Sequence, residues 1–227
     1  MDFLGVFIRP EMRGRAIGVA GVLVLLSALV ALYIFDFLVV TPPALSATMR
    51  DGTAHLTLQT VPTYGHTPDP DWVSYLAEDQ QGHWQHTTIY QVPAHTLVTV
   101  TLYQFDTATG LRNPFLAQVR GTQGGTAILN GKPFSTLDPD LASHTFTVPD
   151  LGISVPLPGV NANAKNPCSA APCPTSDAHT TITFSFVTPG KGTYHWQCFV
   201  PCAAGFYYGF GGPMQTLGWM SGDIEVV

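Results

Sequence analysis

Charge is scarce in this 227-residue chain: 11% of its residues are Asp, Glu, Lys or Arg, with 9 basic against 15 acidic, for a formal net charge of −6. That balance excludes the basic surface on which nucleic-acid binding depends. With 45% hydrophobic residues the chain also lacks the polar composition of a disordered polymer. Several catalytic signatures are missing too. There is no G-x-S-x-G elbow, no Walker loop and no G-x-G-x-x-G after a strand, so nothing points to a hydrolase or to a nucleotide cofactor. No internal repeat is visible, and no histidine follows His195. Cysteine is limited to four residues in two local pairs, Cys168/Cys173 and Cys198/Cys202.

What the chain does have is one long apolar run. Residues 16–35 read AIGVAGVLVLLSALVALYIF without a charge, and after Asp36 the run resumes to Val40. A bilayer core needs about 20 helical residues, more than the apolar stretch of a cleavable signal. A signal peptide cut near residues 44–47 is the alternative. Arg9, Arg13 and Arg15 outnumber Asp2 and Glu11 in the leader, which predicts a cytoplasmic N-terminus by the positive-inside rule. The predicted organisation is a cytoplasmic leader at 1–15, a transmembrane helix at 16–40 and an extracytoplasmic domain at 41–227. After Val40 there are six basic residues against twelve acidic ones, a surface suited to a basic partner such as a small cytochrome.

The exported part has little that reads as helix and several short runs of β-branched and aromatic residues bounded by Gly, Pro, Asn or Asp. Strands are predicted at 55–60, 85–91, 97–103, 115–120, 143–148, 180–186, 192–198 and 222–227. Seven or eight such strands make an all-β Greek-key sandwich, with insertions at 61–79 and 157–178. Outside the cytosol thiols either oxidise or hold metal. Cys168 and Cys173 lie in a Pro/Ala/Asn-rich stretch without strand periodicity, NPCSAAPCP, where a small disulfide loop is the plainest reading.

The second pair closes a strand in GTYHWQCFVPC and precedes a glycine- and aromatic-rich loop that ends in WMSG before the last predicted strand. Upstream, SHTFTVP places His144 on a strand. At these residues the chain resembles the cupredoxins, specifically the exported domain of haem-copper oxidase subunit II, over residues 90–227. The resemblance implies a copper site in which His144 supplies an imidazole, Cys198 and Cys202 the thiolates of a C-x3-C motif, Val200 an intervening carbonyl and Met220 a thioether. Soft sulfur and imidazole donors in a rigid loop are what copper demands. It also implies electron relay beside a polytopic catalytic subunit such as haem-copper oxidase subunit I.

One departure is decisive. The family's second histidine falls on Phe206, and seventeen residues separate Cys202 from Met220, more than in the family. An intact binuclear CuA centre is therefore not expected. Met214 in GGPMQ is the available replacement donor, and His195 an unsuitable one on its strand. A degenerate copper site, an exported Cu(I) carrier or chaperone using Cys198, Cys202, Met214 and Met220, and a metal-free assembly domain with a Cys198–Cys202 disulfide all remain open. His83 and His86 lack the third and fourth ligands of a metal site.

Overall fold

A computed structural model describes residues 10–35, 41–65, 71–108, 110, 113–202 and 212–227. Two compact units emerge, Met1–Thr41 and Pro42–Val227. In the first, helix α1 runs over Pro10–Tyr33, so it starts inside the stretch predicted as leader. Its segment Gly14–Tyr33 has a mean hydropathy of 2.5 and buries no side chain. At 1.5 Å per residue these 20 residues span about 30 Å, the thickness of a bilayer core. By length and composition the helix fits a single-pass membrane anchor or a signal sequence.

The second unit is a two-sheet β-sandwich. In chain order its strands are β1 (Leu45–Ser46), β2 (Thr48–Arg50), β3 (Thr53–Tyr64), β4 (Trp72–Glu78), β5 (Trp84–Gln85), β6 (Ile89–Val92) and β7 (Leu97–Gln104). There follow β8 (Ala127–Leu129), β9 (Lys132–Phe134), β10 (Ala142–Val148), β11 (Ile153–Pro158), β12 (Thr180–Val187), β13 (Gly192–Gln197) and β14 (Ser221–Val226). One sheet has the order β1-β6-β14-β13-β10-β11, and the other β5-β4-β3-β7-β12-β8-β9 with β2 added against β3. Most pairs are antiparallel, but β3 with β7, and β6 with both β1 and β14, run parallel.

Alternation explains the central strands. In β7 the buried set is Val98, Val100, Leu102 and Gln104, while Leu97, Thr99, Thr101 and Tyr103 lie on the other face. The same period in β12 turns Ile182, Phe184 and Phe186 inward. Between the sheets Trp196 is fully buried, with Tyr75 at 4.7 Å and Phe146 at 5.0 Å between ring centroids. Its indole N–H donates to the Thr88 carbonyl at 2.9 Å, which satisfies the one polar atom that burial would otherwise strand.

Three predicted stretches turn out differently. Residues 61–79, expected as an insertion, form the end of β3 and the whole of β4 around residues 66–70, which lie outside those described. Residues 115–120 form turns and isolated bridges, Gln118 with Thr136 and Arg120 with Ser154, instead of a strand. The predicted strand at 85–91 is split into β5 and β6, and between them the Thr87 hydroxyl donates to the Pro43 carbonyl and accepts from the Ile89 amide. Strand β11, ISVPLP, was hidden by its prolines. It lies at a sheet edge, where a residue without an N–H is tolerated.

After β11 the chain is irregular, and there Cys168 and Cys173 are joined by a disulfide. The Cys173 amide donates to the buried Gln59 side-chain oxygen at 2.8 Å. This bridge packs with Val61, Leu76 and Phe105 in a small core of its own.

Candidate metal centre

Three elements meet at one end of the sandwich. Strand β10 carries His144 and Thr145, β13 delivers Cys198 immediately after its last residue, and β14 begins directly after Met220. The described ends of the loop are tied down by backbone bonds: the Cys198 amide donates to the Met220 carbonyl at 2.9 Å, and the Met220 amide to the Pro213 carbonyl at 2.9 Å. The Phe199 amide donates to the Thr145 hydroxyl at 2.9 Å, which fixes the chain just past the first cysteine. These bonds hold both described ends of the loop independently of any ligand.

His144 Nδ1, Cys198 Sγ and Cys202 Sγ converge, all three donor atoms lying within 4.8 Å of one another. His144 and Cys198 are fully buried, and Cys202 is half-buried. The two sulfurs are 3.6 Å apart and both cysteines are free, so the disulfide considered for this pair is not formed. Nδ1 of His144 is 3.8 Å from Cys198 Sγ. Its Nε2 lies 3.2 Å from the Asp106 carboxylate. The Thr145 amide donates to Cys198 Sγ at 3.4 Å, and the Val200 carbonyl oxygen lies 3.5 Å from the same sulfur.

The electrostatics follow from this packing. Burial disfavours charge on His144, but the hydrogen bond to Asp106 and the neighbouring Cys198 outweigh it and raise its pKa to about 9. Burial likewise works against the Asp106 carboxylate, yet its bond to His144 brings it below the usual range. Cys198 is desolvated as well, but the Cys202 thiol, His144 and the Thr145 amide together carry it well below the ordinary thiol range. Cys202 goes the other way, pushed up by its bond to Cys198 and by burial. Negative charge is thus favoured on Cys198 and positive charge on His144, while Cys202 holds its proton and donates it towards Cys198.

Two thiols and an imidazole form a soft donor set that fits copper, and a histidine whose second nitrogen is held by a carboxylate is oriented as metal-binding imidazoles are. Met214, in the 3-10 turn Gly212–Gln215, and Met220 are both fully buried in the same core cluster as Cys198 and Val200. Phe206 and most of the long loop lie outside the described residues. His195 is an exposed strand residue paired with Asp223 at 3.1 Å. His83 lies 3.8 Å from Asp79, and His86 bonds Ser74 and stacks on Tyr64; neither joins a metal-type cluster among the described residues. Asp106 was missed from sequence. It is 38 residues from His144 and carries no motif, so only the fold brings it there.

No protein-family profile matches the chain, and no curated protein matches it in sequence. Among solved structures it is similar to the metal-binding domain of the Cu(I)-exporting P-type ATPase of Streptococcus pneumoniae D39 with Cu(I). That likeness has 10% identity over 83% of this chain and 99% of the other, with a TM-score of 0.36. It is also similar to reduced rusticyanin, at 15% identity over 80% of this chain and 84% of the other with a TM-score of 0.33. Rusticyanin from Thiobacillus ferrooxidans stands at 15% identity, 80% and 82% coverage and a TM-score of 0.31. Likenesses this distant carry no argument about activity or ligand.

Proposed function

We propose that this chain is a membrane-anchored, extracytoplasmic cupredoxin-like domain that holds copper through His144, Cys198 and Cys202 and relays electrons for a membrane oxidoreductase. The observation that carries the reading is the convergence of those three donors within 4.8 Å in a buried, hydrogen-bonded pocket. Bound copper supplies a one-electron couple. The protein's own part is to keep the donors in place. Asp106 holds the His144 ring through Nε2 and leaves Nδ1 facing the sulfurs, and the Thr145 amide stabilises negative charge on Cys198. The described ends of the loop, already pinned by backbone bonds at Cys198, Pro213 and Met220, need not rearrange when charge at the site changes, which favours relay over transport.

The resemblance to haem-copper oxidase subunit II supplies the finer reading: a docked polytopic catalytic subunit such as subunit I, with a basic cytochrome as donor to the acidic exported surface. Arg9 before α1, with Arg13 and Arg15 in its first turns, supports a cytoplasmic N-terminus, with the sandwich outside. A Cu(I) carrier is the second reading, favoured by Cys202, the one donor that is not fully buried.

The test is copper stoichiometry of the full chain in detergent, with optical and electron-paramagnetic spectra. About one copper per chain, with a thiolate charge-transfer band lost in both Cys198→Ser and Cys202→Ser, is the expected result. No bound copper in a fully reduced protein would overturn the proposal. Copper surrendered within seconds to a weak Cu(I) chelator would favour the carrier over the relay.

A further inference from the structure

A cleft of about 330 Å³ opens beside the metal loop, and none of its lining side chains is a proposed copper donor. Its walls are apolar, built from Phe115, Leu116, Pro149, Ile153 and Phe199, with Arg120 set among them. Phe115 is 54% exposed, although it is a large ring on an otherwise folded surface. The Arg120 guanidinium lies over that ring at 3.9 Å from its centroid, and Nη2 donates to the Gln118 amide oxygen at 2.7 Å. Nε is buried with no acceptor, and no carboxylate pairs with this arginine among the described residues. In a domain with twice as many acids as bases, a guanidinium with no carboxylate partner among the described residues is a conspicuous departure.

The position is built, not incidental. Arg120 and Ser154 exchange both backbone hydrogen bonds, at 2.8 and 3.0 Å, which locks the arginine into the cleft wall. Directly after it, Gly121 has a positive φ of 68°, and a Cβ there would stand 2.5 Å from the Gly152 carbonyl oxygen. Only glycine permits that close approach, and the approach holds the two sides of the cleft together.

The geometry points to a binding site for a small apolar carboxylate, its body on Phe115, Ile153 and Phe199 and its anionic oxygens on the guanidinium of Arg120. An anion fits better than a neutral carbonyl because no carboxylate among the described residues pairs with this positive charge, and a hydrogen bond from a guanidinium to an ionised acceptor is stronger than one to a neutral carbonyl. The inference is independent of copper. The cleft also touches the metal loop: Thr147 on its wall donates to the Thr145 hydroxyl at 3.0 Å, which in turn accepts from the Phe199 amide.

The experiment is a fluorine NMR titration of 4-(trifluoromethyl)benzoate against the metal-free full chain in detergent, with excess benzoate as competitor and 4-(trifluoromethyl)benzamide as the neutral counterpart. Saturable broadening that benzoate displaces is expected for the acid, and no displaceable binding for the amide. Arg120→Met should weaken the acid at least tenfold with an unchanged circular dichroism spectrum. Phe115→Ala, a change at an exposed ring, should weaken it severalfold and decides the matter if the arginine variant fails to fold. No displaceable binding at millimolar concentration, or equal binding by acid and amide, would overturn the inference. Copper stoichiometry is measured separately, so failure here leaves the metal site standing and the reverse also holds.

Discussion

Asp106 Oδ2 lies 3.2 Å from His144 Nε2, on the side of the imidazole opposite the two sulfurs. A ring held from behind by a carboxylate is fixed in orientation, and once Nδ1 gives up its proton to an incoming metal ion its lone pair faces the sulfurs. Asp106→Asn keeps the shape and removes the charge. Copper affinity, measured by competition with a chromophoric chelator, should fall about 10–100-fold. An unchanged affinity would mean that the pair serves folding alone.

The turn between β4 and β5 carries a pH signature of its own. Asp79 accepts from the His83 amide and the Gln81 amide at 2.9 Å each and from the Gln85 side-chain amide at 2.8 Å, and these bonds, the His83 amide foremost, lower its pKa. A depressed carboxylate contributes stability above its unfolded pKa and loses that contribution as pH falls through the folded one. The melting temperature of Asp79→Asn should therefore lie below that of the parent at pH 5 to 7, and the two should converge below pH 3. A gap that persisted at low pH would assign the effect to shape instead of charge.

Gly222 sits where no side chain fits. On β14 it pairs with Trp196, and a Cβ would overlap the Thr88 carbonyl, the same oxygen that accepts from the Trp196 indole and the Asp223 amide. Gly222→Ala should cost at least about 3 kcal/mol in urea denaturation, because the obstacle is backbone and cannot rotate away. A loss below 1 kcal/mol would show that β6 and β14 separate readily.

Removing the Cys168–Cys173 bridge by a double serine substitution should lower stability by about 2 kcal/mol, the entropy of so short a loop. Copper binding should be unaffected, since the bridge belongs to the small core with Val61, Leu76 and Phe105 while Cys198 belongs to the main one. Loss of copper in that variant would reveal coupling between the two cores.

Local pattern and sequence distance account for what was legible. The period-two runs of β7 and β12 and the GTYHWQC strand announced themselves, because strands with one face buried must alternate. Strand β4 was obscured by the proline-rich surroundings of WVSYLAE, and β11 by its own prolines, which only an edge position makes harmless. The 115–120 run has strand-like composition but reaches no continuous partner, and composition alone does not form a ladder.

The amino-acid sequence alone determined that an apolar helix precedes an acidic, all-β body, and it singled out His144, Cys198 and Cys202 as candidate donors, since residue type and short-range spacing are local properties. Tertiary structure alone decided that these three donors meet, that Asp106 stands behind the imidazole, that Cys198 and Cys202 are free thiols, and that Arg120 faces an apolar cleft with no counter-ion among the described residues. Each of those facts depends on which strands become neighbours across the sandwich. That is set by packing a whole core, and no window of sequence contains it.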